Sequence, residues 1–157
     1  MISKRTVTVR IARLAEAEGL SGLCRRSKAH WGYDDAFMRL SRDSLTVTAR
    51  QVENGDVWVA EVDGALVGVV ALAAMEEPSL VDLDKLFVEP THMRSGAGRA
   101  LMVFAIEEAR RRGYARMAIL ADPNAAKFYE QMGAVYLCEK ASDAIPGRVL
   151  PYFELKL

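Results

Sequence analysis

Cysteine and histidine are scarce in this chain, with two of each, and their scarcity closes off several kinds of chemistry. Cys24 and Cys138 lie far apart and match no metal-ligating or redox spacing. They read as reduced thiols of a cytoplasmic protein. His30 and His92 are isolated, so no metal centre is expected. Neither sign of charge is in excess: Lys plus Arg and Asp plus Glu each total 21, which gives no pull toward nucleic acid or a membrane surface. The longest apolar run, Ala65 to Met75 around Gly68, falls short of the ~20 residues a membrane helix needs. Met1-Ile2-Ser3-Lys4-Arg5 leads into a strand-like segment and not into an apolar signal core. Repeats, linkers and low-complexity stretches are also missing. A single domain over residues 1–157 is expected, long enough to bury a substantial core.

What is present is a sequence of alternating and helical patterns. Thr6 to Ile11 alternates as a half-buried strand does. Leu14, Ala17, Leu20 and Leu23 recur at helical spacing between Ala12 and His30, and Asp34 is placed to cap a second helix carrying Phe37, Met38 and Leu40. Asp56–Val62 and Leu66–Ala74 are β-rich and flank Asp63-Gly64, a strong hairpin signal. Leu80 to Val88 is the next strand. A long helix runs from Ser95 or Gly96 to Arg112 and ends on Gly113. Arg110-Arg111-Arg112 fits a solvated helix C-terminus better than a phosphate site. Arg116–Ala121 is a strand, Asn124–Met132 a short helix, Ala134–Glu139 a strand and Leu150–Leu157 the last strand. The order predicts a mixed sheet with helices on its faces. The strand–helix–strand unit from Leu80 to Ala121 requires parallel partners.

The junction from Leu86-Phe87-Val88 through Glu89-Pro90 to Met93-Arg94-Ser95-Gly96-Ala97-Gly98-Arg99 carries the functional signal. A strand enters a glycine turn that opens directly into a helix, so unpaired N–H groups and the helix dipole face outward, a site suited to phosphate. Without side chains, Gly96 and Gly98 let a pyrophosphate approach the main chain. Two common phosphate motifs fail on the letters. Gly98 is followed by Arg99-Ala100, not the Lys-Ser/Thr of a P-loop, and Leu101 stands where a dinucleotide fingerprint needs its third glycine.

The segment resembles the acyl-CoA-binding motif of the GNAT superfamily of N-acetyltransferases, Leu-x-Val-x-Pro followed by Gln/Arg-x-x-Gly-x-Gly/Ala. Leu86, Val88, Pro90, Gly96 and Gly98 fall in register, and Met93 replaces the usual Gln or Arg. Asp122-Pro123-Asn124-Ala125-Ala126-Lys127-Phe128-Tyr129-Glu130-Gln131-Met132-Gly133 resembles the second GNAT signature, matching at Ala125, Phe128, Tyr129, Glu130 and Gly133, with Asp122 at the Asn position. The element order is also that of GNAT proteins, so the resemblance covers nearly the whole chain. It implies an α/β (α+β) fold with a mixed, mostly antiparallel sheet, helices on both faces and a central β-α-β acyl-CoA-binding unit. It further implies acetyl-CoA as co-substrate, held by Leu86, Phe87, Val88, residues 93–99, Asp122, Asn124, Ala125, Phe128 and Tyr129, and a homodimer.

In this family the tyrosine at the position of Tyr129 lies beside the CoA sulfur, and a reference pKa of ~10 keeps it able to protonate a departing thiolate. By itself the same residue reads rather as a core tyrosine, and it is the first motif upstream that turns the reading toward catalysis. Asp82 and Asp84 share side-chain parity, and either can deprotonate an acceptor ammonium or belong to a solvated face. Main-chain N–H groups near Leu86–Val88 are placed to polarise a thioester carbonyl. Lys28, His30, Trp31 and Tyr33 cluster between the first two helices, where the family resemblance implies the acceptor site, although Trp31 can also plug the helix junction. Arg148 follows Ile145-Pro146-Gly147 and suits a carboxylate. The reading is acetyl transfer to the primary amine of a small molecule without a covalent enzyme intermediate; Lys28, Trp31, Tyr33 and Arg148 together would suit an amine that also carries a carboxylate, and the acceptor itself is left open. Two alternatives stand beside it: an acyl-CoA sensor without turnover, and transfer to a protein amine.

Overall fold

The computed structural model describes residues 6–157. Seven strands form one sheet in the order β1-β2-β3-β4-β5-β7-β6. They are β1 (Thr8–Ile11), β2 (Val57–Val62), β3 (Ala65–Ala74), β4 (Leu80–Val88), β5 (Arg116–Leu120), β6 (Val135–Ala141) and β7 (Val149–Lys156). Every pairing is antiparallel except β4 with β5, as the strand–helix–strand unit requires. The helices are α1 (Ala17–Ala29), α2 (Asp35–Leu40), α3 (Ala49–Glu53), α4 (Ala97–Arg111) and α5 (Ala126–Gln131).

The sheet is covered on both faces. On one, Leu101, Met102, Ala105 and Ala109 of α4 pack on Val70, Leu72, Met117 and Phe153. On the other, Leu20, Leu23 and Cys24 of α1 and Val52 of α3 pack on Val57, Val59 and Val69. The helical spacing of these residues is the cause of the layering, because each stripe can leave water only against the sheet.

Local signals explain most boundaries. Asp63 and Gly64 both adopt positive φ, 52° and 78°, the conformation a two-residue type I′ hairpin needs. Asp34 caps α2 by accepting from Phe37 N–H at 2.8 Å. Gly113 ends α4 at φ 90°, with Gly113 N–H bonded to Arg110 O and Tyr114 N–H to Ala109 O, a Schellman ending. Arg111 and Arg112 pair with Glu108, and Arg112 also reaches Asp56. Several expectations differ, among them the helix expected over Asn124–Met132, which divides into a 3-10 turn, Pro123–Ala125, and α5. The first strand starts at Thr8, not Thr6. The first helix is preceded by a separate 3-10 turn, Leu14–Glu16, where Glu16 turns back to accept from Arg13 N–H. Helix α3 was not expected, yet its Thr48–Gln51 capping box is readable in the letters.

Two features of β4 make the site. Pairing with β5 stops after Asp82↔Ala118, so the two parallel strands splay apart and leave the rest of β4 with an open edge. A β-bulge interrupts β4 as well: Ala71 stands opposite Lys85 and Leu72 opposite Leu83, leaving Asp84 as the extra residue. Val81 and Leu83 before the bulge, and Leu86 and Val88 after it, all join the α4-side core, whereas Phe87 joins the other. Asp84 and Lys85, adjacent in sequence, can therefore share the α1 side.

Candidate functional site

The splay between β4 and β5 opens a cavity of about 460 Å³. One wall is β4 from Leu83 to Val88, and the opposite wall is Ile119, Leu120 and the start of α5. At ~3.3 Å per residue, Leu83 to Val88 offers roughly 16 Å of strand edge. Glu89 N–H bonds Val67 O of β3, and Phe87 O also points toward β3, where a Cβ on Gly68 would meet it at 3.2 Å. Strand alternation then turns the main-chain groups of Leu86 and Val88 toward the open edge. An extended amide-bearing ligand can pair with them as an added strand would.

At the top of this edge the chain turns into α4. Gly96 caps the helix at φ 88°, a left-handed conformation that costs glycine least. Ala97 N–H is bonded to Ser95 Oγ and Ala100 N–H to Gly96 O. The intervening Gly98 and Arg99 N–H groups have no partner among the described residues, and Gly98 and Arg99 line the cavity. A Cβ built on Gly98 would meet only Val88 Cγ2 at 3.5 Å and the Phe128 ring at 3.8 Å. Packing therefore tolerates a methyl group here, and what the missing side chain provides is access to the main chain.

Tyr129 closes the deep end. It is only 7% exposed and lines the cavity, its ring packed against Phe128 and Phe153. Burial, and after it the Asp122 carboxylate, raises its hydroxyl pKa above the ordinary tyrosine value, so the group stays protonated.

A second, smaller cavity of about 180 Å³ adjoins the first, and the two share Lys28, Asp84, Phe87, Leu120 and Asp122. Asp82 lines the smaller one and makes no ion pair among the described residues. Burial, then Asp84 and Asp143, push its carboxyl up to about 6. Asp84 Oδ2 instead accepts from Lys85 Nζ at 2.6 Å and Gln51 Nε2 at 2.9 Å. Asp122 ties three elements together. Its Oδ2 accepts from Lys28 Nζ at 2.6 Å and Tyr33 OH at 2.8 Å, and its Oδ1 accepts from Asn124 N–H at 2.8 Å. Burial alone would raise this carboxyl, but those hydrogen bonds and the Lys28 charge hold it below the usual range. Tyr33 OH also accepts from Arg148 Nη2 at 2.8 Å.

A family model described as "Acetyltransferase (GNAT) domain" matches residues 53–133, just over half of the chain. The chain belongs to the GNAT acetyltransferase family. Human N-acetyltransferase 8 is 31% identical over 108 residues, 64% of this chain and 48% of that protein. Rat N-acetylaspartate synthetase is 30% identical over 100 residues, 62% of this chain and 33% of that protein. This GNAT chain thus spans between a third and a half of the length of these two relatives. In fold it matches PaiA N-acetyltransferase from Thermoplasma acidophilum, solved in complex with coenzyme A, with a TM-score of 0.74, 15% identity and coverage of 97% and 99% of the two chains.

Of the residues that GNAT motifs suggested for the cofactor, Leu86, Phe87, Val88, Met93, Arg94, Gly96, Gly98, Arg99, Asp122, Asn124, Ala125, Phe128 and Tyr129 line the larger cavity. Ser95 and Ala97 do not: Ser95 lies just before the helix, its Oγ accepting from Ala97 N–H, and Ala97 is fully buried. On the acceptor side, Lys28 lines both cavities, Trp31 the larger and Arg148 the smaller. Trp31 is 44% exposed, so it walls the opening and does not plug the helix junction. Tyr33 lines neither cavity and acts through Asp122 and Arg148. His30 is exposed at the end of α1, its ring against Trp31, and lies outside both cavities. Gln51, Lys85 and Asp143 were missed. The bulge that joins Lys85 to Asp84 left no mark in the alternation of β4, whereas Gln51 belonged to a legible capping box.

Proposed function

We propose that the protein transfers the acetyl group of acetyl-CoA to the primary amine of a small molecule by direct attack. One observation carries the reading: a single cavity joins the Gly96–Gly98 helix turn, the open main chain of Leu86–Val88 and the protonated Tyr129 hydroxyl. The turn receives the diphosphate, the β4 edge pairs with the extended pantetheine arm, and the thioester lies at the Tyr129 end. The acceptor nitrogen comes from the smaller cavity and gives its proton to Asp82, directly or through water. Its lone pair then forms the C–N bond at the thioester carbonyl. When the C–S bond breaks, the thiolate takes a proton from Tyr129, and the remaining extra proton of the acylated nitrogen passes through water to Tyr129, which restores its hydroxyl and leaves a neutral amide. The small volume of the acceptor cavity favours a metabolite over a polypeptide.

Calorimetric titration with acetyl-CoA and with CoA tests the cofactor part. Micromolar binding of both is expected. Gly98→Leu is expected to weaken it about 100-fold, since losing roughly two hydrogen bonds to a charged group costs that much. Gly98→Ala should retain binding and stabilise α4 by about 0.5–1 kcal/mol. Binding of neither ligand overturns the reading.

The assembly is taken to be a homodimer, a view supported by edge strand β6, whose residues are all exposed. These include Val135, Tyr136 and Leu137, an apolar edge that a second copy would cover. Light scattering that gives a monomer mass at micromolar concentration rejects it. A cytoplasmic setting is supported by two free cysteines, Cys24 buried and Cys138 exposed. Among the described residues no helix is long and apolar enough to cross a membrane.

A further inference from the structure

The smaller cavity carries opposite charges that no close ion pair neutralises. Lys28 is taken up by Asp122 at 2.6 Å and Lys85 by Asp84 at 2.6 Å. What remains of its charged lining is Arg148 on one side and Asp82 with the rim residue Asp143 on the other. Arg148 is held in place without being neutralised. Its guanidinium carbon stands 4.9 Å from the Phe37 ring centre and 5.1 Å from that of Tyr33, two rings stacked 3.9 Å apart and 8° from parallel. Only Nη2 has a close acceptor, Tyr33 OH, and the nearest carboxylate, Asp122, is 3.9 Å away. Nε and Nη1 keep their N–H groups without partners among the described residues, and a guanidinium fixed in this way matches a planar carboxylate. Asp82 and Asp143 offer the complementary environment for an ammonium.

We propose that the acceptor is a small zwitterionic amino acid, its carboxylate on Arg148 and its ammonium beside Asp82 and Asp143. The inference rests on the acetyl-transfer reading above and adds the class of acceptor. Size supports it: about 180 Å³ lies below the range of drug-sized sites. Placement supports it too. Asp82 sits at the last paired position of β4 before the splay, and Asp84 lines both cavities, so an ammonium at this end lies beside the route to the thioester. A diamine would set a cation against Arg148.

The test is a rate comparison at saturating acetyl-CoA with matched pairs: alanine against ethylamine, serine against ethanolamine, and putrescine as the dication. At least one amino acid is expected to exceed its carboxylate-free partner by more than 10-fold in kcat/KM. Arg148→Gln should erase that ratio, bringing kcat/KM for the amino acid down to that of its carboxylate-free partner measured in the same variant. Equal rates within each pair, preference for putrescine, or an Arg148→Gln variant that slows both partners alike all overturn the amino acid assignment and leave acetyl transfer intact. Absence of CoA release with any amine, in protein that still binds acetyl-CoA, overturns both.

Discussion

Tyr129→Phe is expected to lower kcat by about 10²–10⁴-fold, the range a positioned general acid supplies, with the dissociation constant for acetyl-CoA changed less than about threefold. The substitution is close to isosteric. The Tyr129 ring lies 5.3 Å from Phe128 and 6.4 Å from Phe153, centre to centre, and a phenylalanine keeps both contacts. What disappears is the hydroxyl, a proton source at the end of the cavity. Because burial and Asp122 raise its pKa, the wild-type pH profile should show no limb from this residue below pH 10. Stopped-flow measurement of thiol release reads the chemical step directly, and calorimetry reads binding. A variant with normal turnover would assign Tyr129 to the core alone. A variant that loses binding and turnover together would make it a wall of the cofactor site.

Much of this site was legible because it is built from local devices. A glycine turn entering a helix, a hairpin at Asp63-Gly64 and the spacing of Leu101, Ala105 and Ala109 each declare themselves within a few residues. The β4–β5 splay is different. Parallel pairing follows from the strand–helix–strand unit, but where pairing ends, after Asp82↔Ala118, is a matter of how the strands fit in three dimensions, which spacing does not encode. The bulge at Asp84 is likewise an effect of three strands fitting together. Asp82 and Asp84 were read onto one face by parity, and both do line the smaller cavity. Their inequivalence was hidden, because it arises from Lys85 being turned by the bulge to the side of Asp84. Lys28, Tyr33 and Arg148 were singled out for chemistry that a ligand would satisfy. In the fold Asp122 takes up Lys28 and Tyr33, and Arg148 keeps most of its donors. A sequence motif marks which residues gather, while the partner each one chooses is a property of three dimensions.

That inequivalence gives Asp82 and Asp84 opposite expected signs. Asp82→Asn should stabilise the protein at pH 7.5 while lowering kcat/KM by about 10²–10⁴-fold. The folded-state carboxyl is pushed up to about 6, above an unfolded value of ~3.9. Below pH ~4 both states hold the proton and nothing is lost. Between ~4 and ~6 the unfolded chain releases a proton that the folded chain keeps, so stability falls as pH rises. Above ~6 the cost is complete, of the order of 1–3 kcal/mol, and the neutral amide removes it. Thermal unfolding should show a rise of roughly 2–8 °C at pH 7.5 that vanishes near pH 4. The acid limb of kcat/KM near pH 6 should vanish with it. Asp84→Asn is expected to do the reverse to stability. It strips the carboxylate from Lys85, which is 5% exposed, and a buried cation without its partner destabilises by several kcal/mol. If Asp82→Asn instead kept its activity and its pH 6 limb, the proton would leave by Asp84 or by water, and the unpaired charge at Asp82 would serve binding alone. A loss of stability at pH 7.5 would mean that Asp82 has a partner in the folded protein, and its ionised form would then be a stabilising one.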